Sequence, residues 1–190
     1  MSRWYWVRHG PTHQKTFTGW RNVPSDLSDT AKIERLNAFL PQDALIVSSD
    51  LRRCVMTADA LQDRRTRLPH DPHLREFHFG AWDGVHFSKI AEKDEALSRA
   101  YWETPGNTAP PGGESWNQSA ARVAVGVRRI AEHHPDRDII VVAHFGVILT
   151  QVQAVLGISA QEVLGHKIDP LSVTVLDPAA GTATQINHQP

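Results

Sequence analysis

The chain has 190 residues, 41% of them hydrophobic and 22% charged, which is enough material for one well-buried core and ordinary for a soluble globular protein. Its formal net charge of −1 gives no global pull toward nucleic acid or an anionic membrane, so any anion site must be built locally. No apolar run nears the ~18 residues of a membrane span, no basic-then-apolar leader opens the chain, and the single cysteine, Cys54, precludes an intramolecular disulfide and fits a reducing cytoplasm.

Trp4-Tyr5-Trp6-Val7 are four bulky β-formers that run into Arg8-His9-Gly10-Pro11. They predict a buried strand that delivers Arg8 and His9 to the mouth of a turn. Turn formers dominate residues 11–25. Ile33, Leu36 and Leu40 then recur at helical spacing, with Ser28 as the expected N-cap and Pro41 as the stop. Residues 44–47 read as a second strand, followed by Ser48-Ser49-Asp50, all strong N-cap types. Leu51, Val55, Ala58 and Leu61 continue as a helix that carries Arg52 and Arg53 in its first turn. A short third strand is expected at 66–68.

Residues 69–115 change texture, with five prolines and a cluster of aromatics that includes Phe77, Phe79, Trp82, Tyr101 and Trp102. They read as a lid-like excursion with one helix near 88–102, inside a single domain spanning 1–190. Ser115 and Gln118 form a capping box, and Trp116, Ala120, Val123, Val127, Ile130 and His134 keep a helical stripe until Pro135. Residues 138–143 predict a central strand ending in His144-Phe145-Gly146. A helix through Ile148, Val152 and Val155 follows, ended near Gly157, and then a short one capped by Ser159 and Glu162. Strands at 172–176 and 184–186 close the chain. Strands alternating with helices predict an α/β fold: a three-layer α/β/α sandwich with a mostly parallel central sheet and an antiparallel edge.

In a parallel sheet the strand ends Arg8-His9-Gly10, Ser48-Ser49-Asp50 and Ala143-His144-Phe145-Gly146 share one edge, where such folds bind ligands. Two imidazoles and two guanidiniums converging there suit a tetrahedral dianion, because guanidiniums fork onto phosphate oxygens and helix N-termini add N–H donors. A neutral imidazole can attack phosphorus, and a second, protonated one can stabilise the equatorial oxygens. Glu76, hemmed in by aromatics that raise its pKa, is a candidate acid for the leaving alkoxide, although Arg8 and Arg53 pull the other way.

Five blocks in order, Arg8-His9-Gly10-Pro11-Thr12, Ser48-Ser49-Asp50-Leu51-Arg52-Arg53-Cys54, Leu74-Arg75-Glu76-Phe77 through Trp82-Asp83-Gly84, Pro111-Gly112-Gly113-Glu114-Ser115 and Val142-Ala143-His144-Phe145-Gly146, resemble the motifs of the histidine phosphatase superfamily, the phosphoglycerate-mutase-like proteins. The resemblance spans nearly the whole chain. It implies His9 as phosphorylated nucleophile, Arg8 and Arg53 as phosphate clamps, His144 as second histidine, Glu76 as proton donor and the Gly10 carbonyl as the group that fixes the tautomer of His9. It implies a phosphatase-type enzyme acting on a small phosphomonoester in the cytoplasm with neither metal nor cofactor, and leaves a homodimer open. There are three departures. Where many members carry Trp-Asn this chain has Gln14 and Lys15, so Lys15 is a candidate substitute cation. Phe145 replaces a glycine, which narrows the pocket, and a glycine expected near Thr30 and Ala31 is missing.

Rival readings have less behind them. The histidine pairs His9/His13, His70/His73 and His133/His134 match no zinc spacing, and no nucleotide-binding loop or Gly-x-Ser-x-Gly elbow occurs. Arg64, Arg65 and Arg67 sit beside Asp63 and read as solvated surface and not as a nucleic-acid contact. A mutase is usually longer than 190 residues, and a non-catalytic regulator is expected to lack a core group, whereas all five are present.

Overall fold

A computed structural model describes residues 2–190. Six strands form one sheet: β1 (Trp4–Arg8), β2 (Leu45–Ser48), β3 (Thr66–Arg67), β4 (Ile139–Ala143), β5 (Val173–Asp177) and β6 (Thr182–His188), in the order β3-β2-β4-β1-β5-β6. The first four run parallel, while β5 is antiparallel to β1 and β6 to β5. The antiparallel edge is therefore a hairpin. β2 and β4, flanked on both sides, are buried at every position, as the unbroken runs of Ile and Val require.

Helices cover both faces, giving the expected α/β/α sandwich. On one face α5 (Trp116–His133) and α6 (Phe145–Leu156) pack Trp116, Val123, Ile130, Val147 and Val152 onto Trp4, Trp6, Leu45, Val47, Ile139 and Val141. On the other, α1 (Thr30–Phe39) and α2 (Arg52–Gln62) pack Leu36, Cys54, Ala58 and Leu61 onto Ile46, Ile140, Val142 and Val175. Each of these large side chains taken fully from water contributes roughly 1.5–3 kcal/mol. The capping boxes at Ser115 and at Ser159, which opens α7 (Ala160–Val163), are both formed, and α6 ends at Gly157 in the left-handed conformation.

Five expectations are corrected. Arg65, read as solvated surface, is buried and donates to the carbonyls of Pro41, Leu61, Asn37 and Leu40. The N-cap of α1 is Asp29, whose carboxylate accepts from Lys32 N, and not Ser28. No side chain caps α2, because Ser49 Oγ accepts from Leu51 N just ahead of the helix. The single helix expected near 88–102 is two, α3 (Phe87–Lys93) and α4 (Glu95–Glu103), since Asp94 closes the first and caps the second by accepting from Leu97 N at 3.0 Å. The last strand is longer than 184–186 and pairs irregularly with β5. The excursion has its own small apolar cluster of Trp82, Ile90 and Tyr101. Phe17 and Phe79 join it from the segments that follow His9 and Glu76. Among the described residues, no helix is long and apolar enough to cross a membrane.

Candidate active site

The alternation of side chains along β1 decides where its last residues go. Trp4 and Trp6 face α5 and α6, so Arg8 points that way and lies 5.5 Å from the ring of Phe145 at the start of α6. Tyr5 and Val7 face α1 and α2, so His9 turns toward α2. The ladders continue one residue past the strands, through His9 N to Ala143 O at 3.1 Å and Ser49 N to Val142 O at 3.1 Å. His9 and His144 thereby sit side by side at the carboxyl edge of the sheet, with ring centroids 5.2 Å apart.

Arg53, buried in the first turn of α2, joins them. Its Nε donates to His9 Nε2 and to His144 Nδ1, 3.2 Å from each. Three of the five N–H groups go to backbone: Nη1 donates to Arg21 O at 3.0 Å, and Nη2 to Gly19 O at 2.7 Å and Thr18 O at 3.3 Å. That leaves the Nε–H shared by the two imidazoles and one Nη1–H. Thr57, one turn further along α2, accepts from Gly10 N at 2.9 Å and donates to Arg53 O at 2.7 Å, tying the turn after His9 to the helix. Gly10 has no room for a side chain, because a Cβ would lie 2.6 Å from Leu27 and 3.0 Å from Asp26 O.

The tautomer of each imidazole follows from these partners. His9 Nδ1 lies 2.7 Å from Gly10 O and must carry the proton, which leaves a lone pair on Nε2. His144 Nδ1 accepts from Arg53, so its Nε2 holds the proton and faces Cys54 Sγ at 3.3 Å. Burial, with Arg53 and other positive charge nearby, holds both histidines well below their ordinary pKa. Neutral rings are therefore the resting state.

Glu76 closes the site from the excursion. Its carboxylate accepts from Phe77 N at 3.0 Å and from Gly146 N, in the first turn of α6, at 3.3 Å. Burial raises its pKa, against the two N–H donors and the charges of Arg53 and Arg8. Arg8 donates through Nη1 to Ile168 O at 2.6 Å, while its Nε is buried without a partner. Burial lowers the pKa of both arginines. A dianion beside Arg8 Nε and Arg53 would give these charges the partner that the fold itself does not supply.

The structure thus brings together Arg8, His9, Arg53, Glu76 and His144, with Phe145 as a wall against Arg8. Lys15 is exposed, with no hydrogen bond or ion pair among the described residues. Thr30 and Ala31 are exposed, and a side chain at the missing glycine is accommodated there. Several residues that hold the site were not singled out from sequence. Asp83 accepts from Gly19 N, Trp20 N, Arg21 N and Arg21 Nε at 3.0–3.1 Å, fixing the loop whose carbonyls grip Arg53. Arg122 and Trp20 hold the backbone of Glu76. The aromatic Trp20 and the Glu114 block were visible, but nothing in the sequence spacing pairs them with their partners.

The chain matches known proteins in sequence and in fold. The family model of the histidine phosphatase superfamily (branch 1) matches residues 4–188. The chain is 34% identical over 167 residues to glucosyl-3-phosphoglycerate phosphatase of Mycolicibacterium vanbaalenii, covering 80% of this chain and 73% of that one. It is 31% identical over 154 residues to the metal-independent phosphoserine phosphatase of Arabidopsis thaliana, covering 75% and 63%. The solved complex of a mycobacterial glucosyl-3-phosphoglycerate phosphatase with inorganic phosphate superposes with a TM-score of 0.84 at 27% identity, over 100% of this chain and 98% of that one. With sequence matched almost end to end and fold shared throughout, the chain belongs to the histidine phosphatase superfamily, branch 1.

Proposed function

We propose that the protein is a metal-independent phosphomonoesterase that hydrolyses a small phosphorylated metabolite through a phosphohistidine at His9. The observation that carries this is the shared Arg53 N–H between two neutral imidazoles, with the His9 lone pair on Nε2. His9 Nε2 attacks phosphorus; a P–N bond forms as the P–O bond to the substrate alcohol breaks. Glu76, whose pKa burial raises, gives its proton to the departing alkoxide. Water then attacks the phosphohistidine, Glu76 takes a proton from it, and the P–N bond breaks to release phosphate and neutral His9. Arg8 and Arg53 offset the charge on the transferring group, and His144 donates to its oxygens once the dianion has raised its pKa. Phe145 and Arg8 line the substrate side, while the exposed Lys15 stands outside this set.

A single domain with 69–115 as a cover, and a reducing cytoplasmic setting for the unpaired Cys54, complete the reading. The relatives named above support a small-molecule phosphomonoester as the class of substrate. Trapping tests it. Enzyme treated with EDTA, mixed with radiolabelled phosphomonoester and quenched in base, is expected to retain label in an acid-labile bond at His9, and His9→Ala to retain none and to lose hydrolysis by several orders of magnitude. Undiminished turnover by His9→Ala refutes the proposal.

A further inference from the structure

The segment that carries Glu76 is irregular and largely buried, so its carbonyls need donors that no strand or helix supplies. A short 3-10 turn over Pro72–Leu74 ends just before it and another over Gly80–Trp82 begins just after. One side chain, Arg122 on α5, fills most of the gap. Its Nη1 donates to His73 O at 2.8 Å and Arg75 O at 2.9 Å, and its Nη2 to Glu76 O at 3.1 Å. The same guanidinium is held by Glu114, through Nε and Nη2 at 2.8 Å each. Glu114 in turn accepts from His78 N at 3.0 Å and Ser119 Oγ at 3.1 Å. From the other side Trp20 Nε1 donates to Glu76 O at 2.7 Å. The guanidiniums of Arg75 and Arg122 lie 4.9 Å and 5.9 Å from the centre of the indole ring.

We infer that Arg122, braced by Glu114 and opposed by Trp20, is the positioning residue that holds the Glu76 carboxyl at the place where the leaving oxygen needs its proton. This rests on the reading of Glu76 as the acid. A planar five-donor group is what the task requires, since three carbonyls diverging from one irregular turn cannot be spanned by an ammonium. Arg122 makes no hydrogen bond to either imidazole, and its charge is the smallest of the causes that lower the His144 pKa. Its effect belongs to the step that needs an acid, and not to phosphate capture.

The test compares an alkyl phosphate, whose alkoxide needs protonation, with nitrophenyl phosphate, which leaves unaided, for wild type, Arg122→Met, Arg122→Lys, Glu114→Gln and Glu76→Gln. Arg122→Met is expected to lower kcat/KM, which reports phosphoryl transfer to His9 and not the later hydrolysis in which Glu76 is the base, at least ~10-fold on the alkyl ester and less than ~3-fold on the aryl ester, with Lys restoring only part of the loss. Glu76→Gln should show the same discrimination more strongly. Equal losses on both esters in the Arg122 variants, while Glu76→Gln still discriminates, overturn the inference alone. Equal losses in Glu76→Gln overturn the acid reading and the inference together. Should Arg122→Met fail to fold, Arg122→Lys and Glu114→Gln decide by the same ratio.

Discussion

Gly146 stands where α6 meets the Glu76 carboxylate, and the substitution Gly146→Ala is a narrow probe of that contact. An added Cβ would lie 2.7 Å from Glu76 Oε1 and 3.0 Å from Cδ1 and Cε1 of Phe77. Ordinary contact begins at 3.4 Å, so something must retreat by about 0.7 Å, the difference between 3.4 and 2.7. Phe77 is buried and packs edge-on against Trp116 with centroids 5.4 Å apart, and the start of α6 is buried as well. The carboxylate, at the end of a jointed side chain, is the part that gives way. That motion also strains the Gly146 N–H bond, already 3.3 Å long.

Two effects on stability oppose each other. Overpacking costs about 1–3 kcal/mol, while replacing a helical glycine by alanine returns roughly 0.5–1 kcal/mol. The net loss is at most about 2.5 kcal/mol, or a fall in Tm of no more than ~10 °C for a chain of this size. Misplacement of a catalytic group by 1 Å costs on the order of 100-fold, so a 0.7 Å displacement is expected to lower kcat/KM, which isolates phosphoryl transfer to His9, about 10- to 100-fold on an alkyl phosphate. Steady-state kinetics at 25 °C on alkyl and nitrophenyl esters read the effect, with the aryl ester changing less than ~3-fold. If the variant keeps the wild-type ratio between the two esters, the carboxylate beside Gly146 is not the group that protonates the leaving oxygen.

The pH dependence of kcat/KM, which reports the free enzyme, tests the two buried titrations together. His9 acts unprotonated and its pKa is depressed, so the acid limb is expected below pH 6.5, its ordinary value. Glu76 acts protonated and its pKa is raised, so activity falls again as pH climbs past its folded value, above 4.5. Glu76→Gln should abolish the basic limb, and an acid limb above 6.5 would contradict the depressed His9. Asp83→Ala removes the acceptor of three backbone N–H groups and of Arg21, at a cost of about 2–3 kcal/mol and a Tm lower by roughly 5–10 °C. Since that loop holds Arg53, inhibition by inorganic phosphate should weaken at least ~5-fold; unchanged inhibition would mean that Arg53 keeps its place without the loop.

What could be read from sequence, and what could not, divides along the length of the contacts. Arg8, His9 and His144 stand directly at the ends of apolar runs, and Arg53 one helical turn beyond another, so local periodicity places them at one sheet edge. Asp83 and Arg122 act on backbone 62 and 46 residues away, and no local pattern encodes such pairs. The break at Asp94 was missed because an aspartate amid charged neighbours looks like a solvated helix face until its carboxylate is seen on Leu97 N. Nor can sequence show that three of the Arg53 donors go to the carbonyls of Thr18, Gly19 and Arg21.

The bond from His9 Nδ1 to Gly10 O has a consequence for regiochemistry. With the π nitrogen bound to a carbonyl, only the τ nitrogen is open to electrophiles, so the covalent adduct of the proposed reaction is the τ-phospho isomer. Reagents that tell the two isomers apart would then report on a single main-chain oxygen.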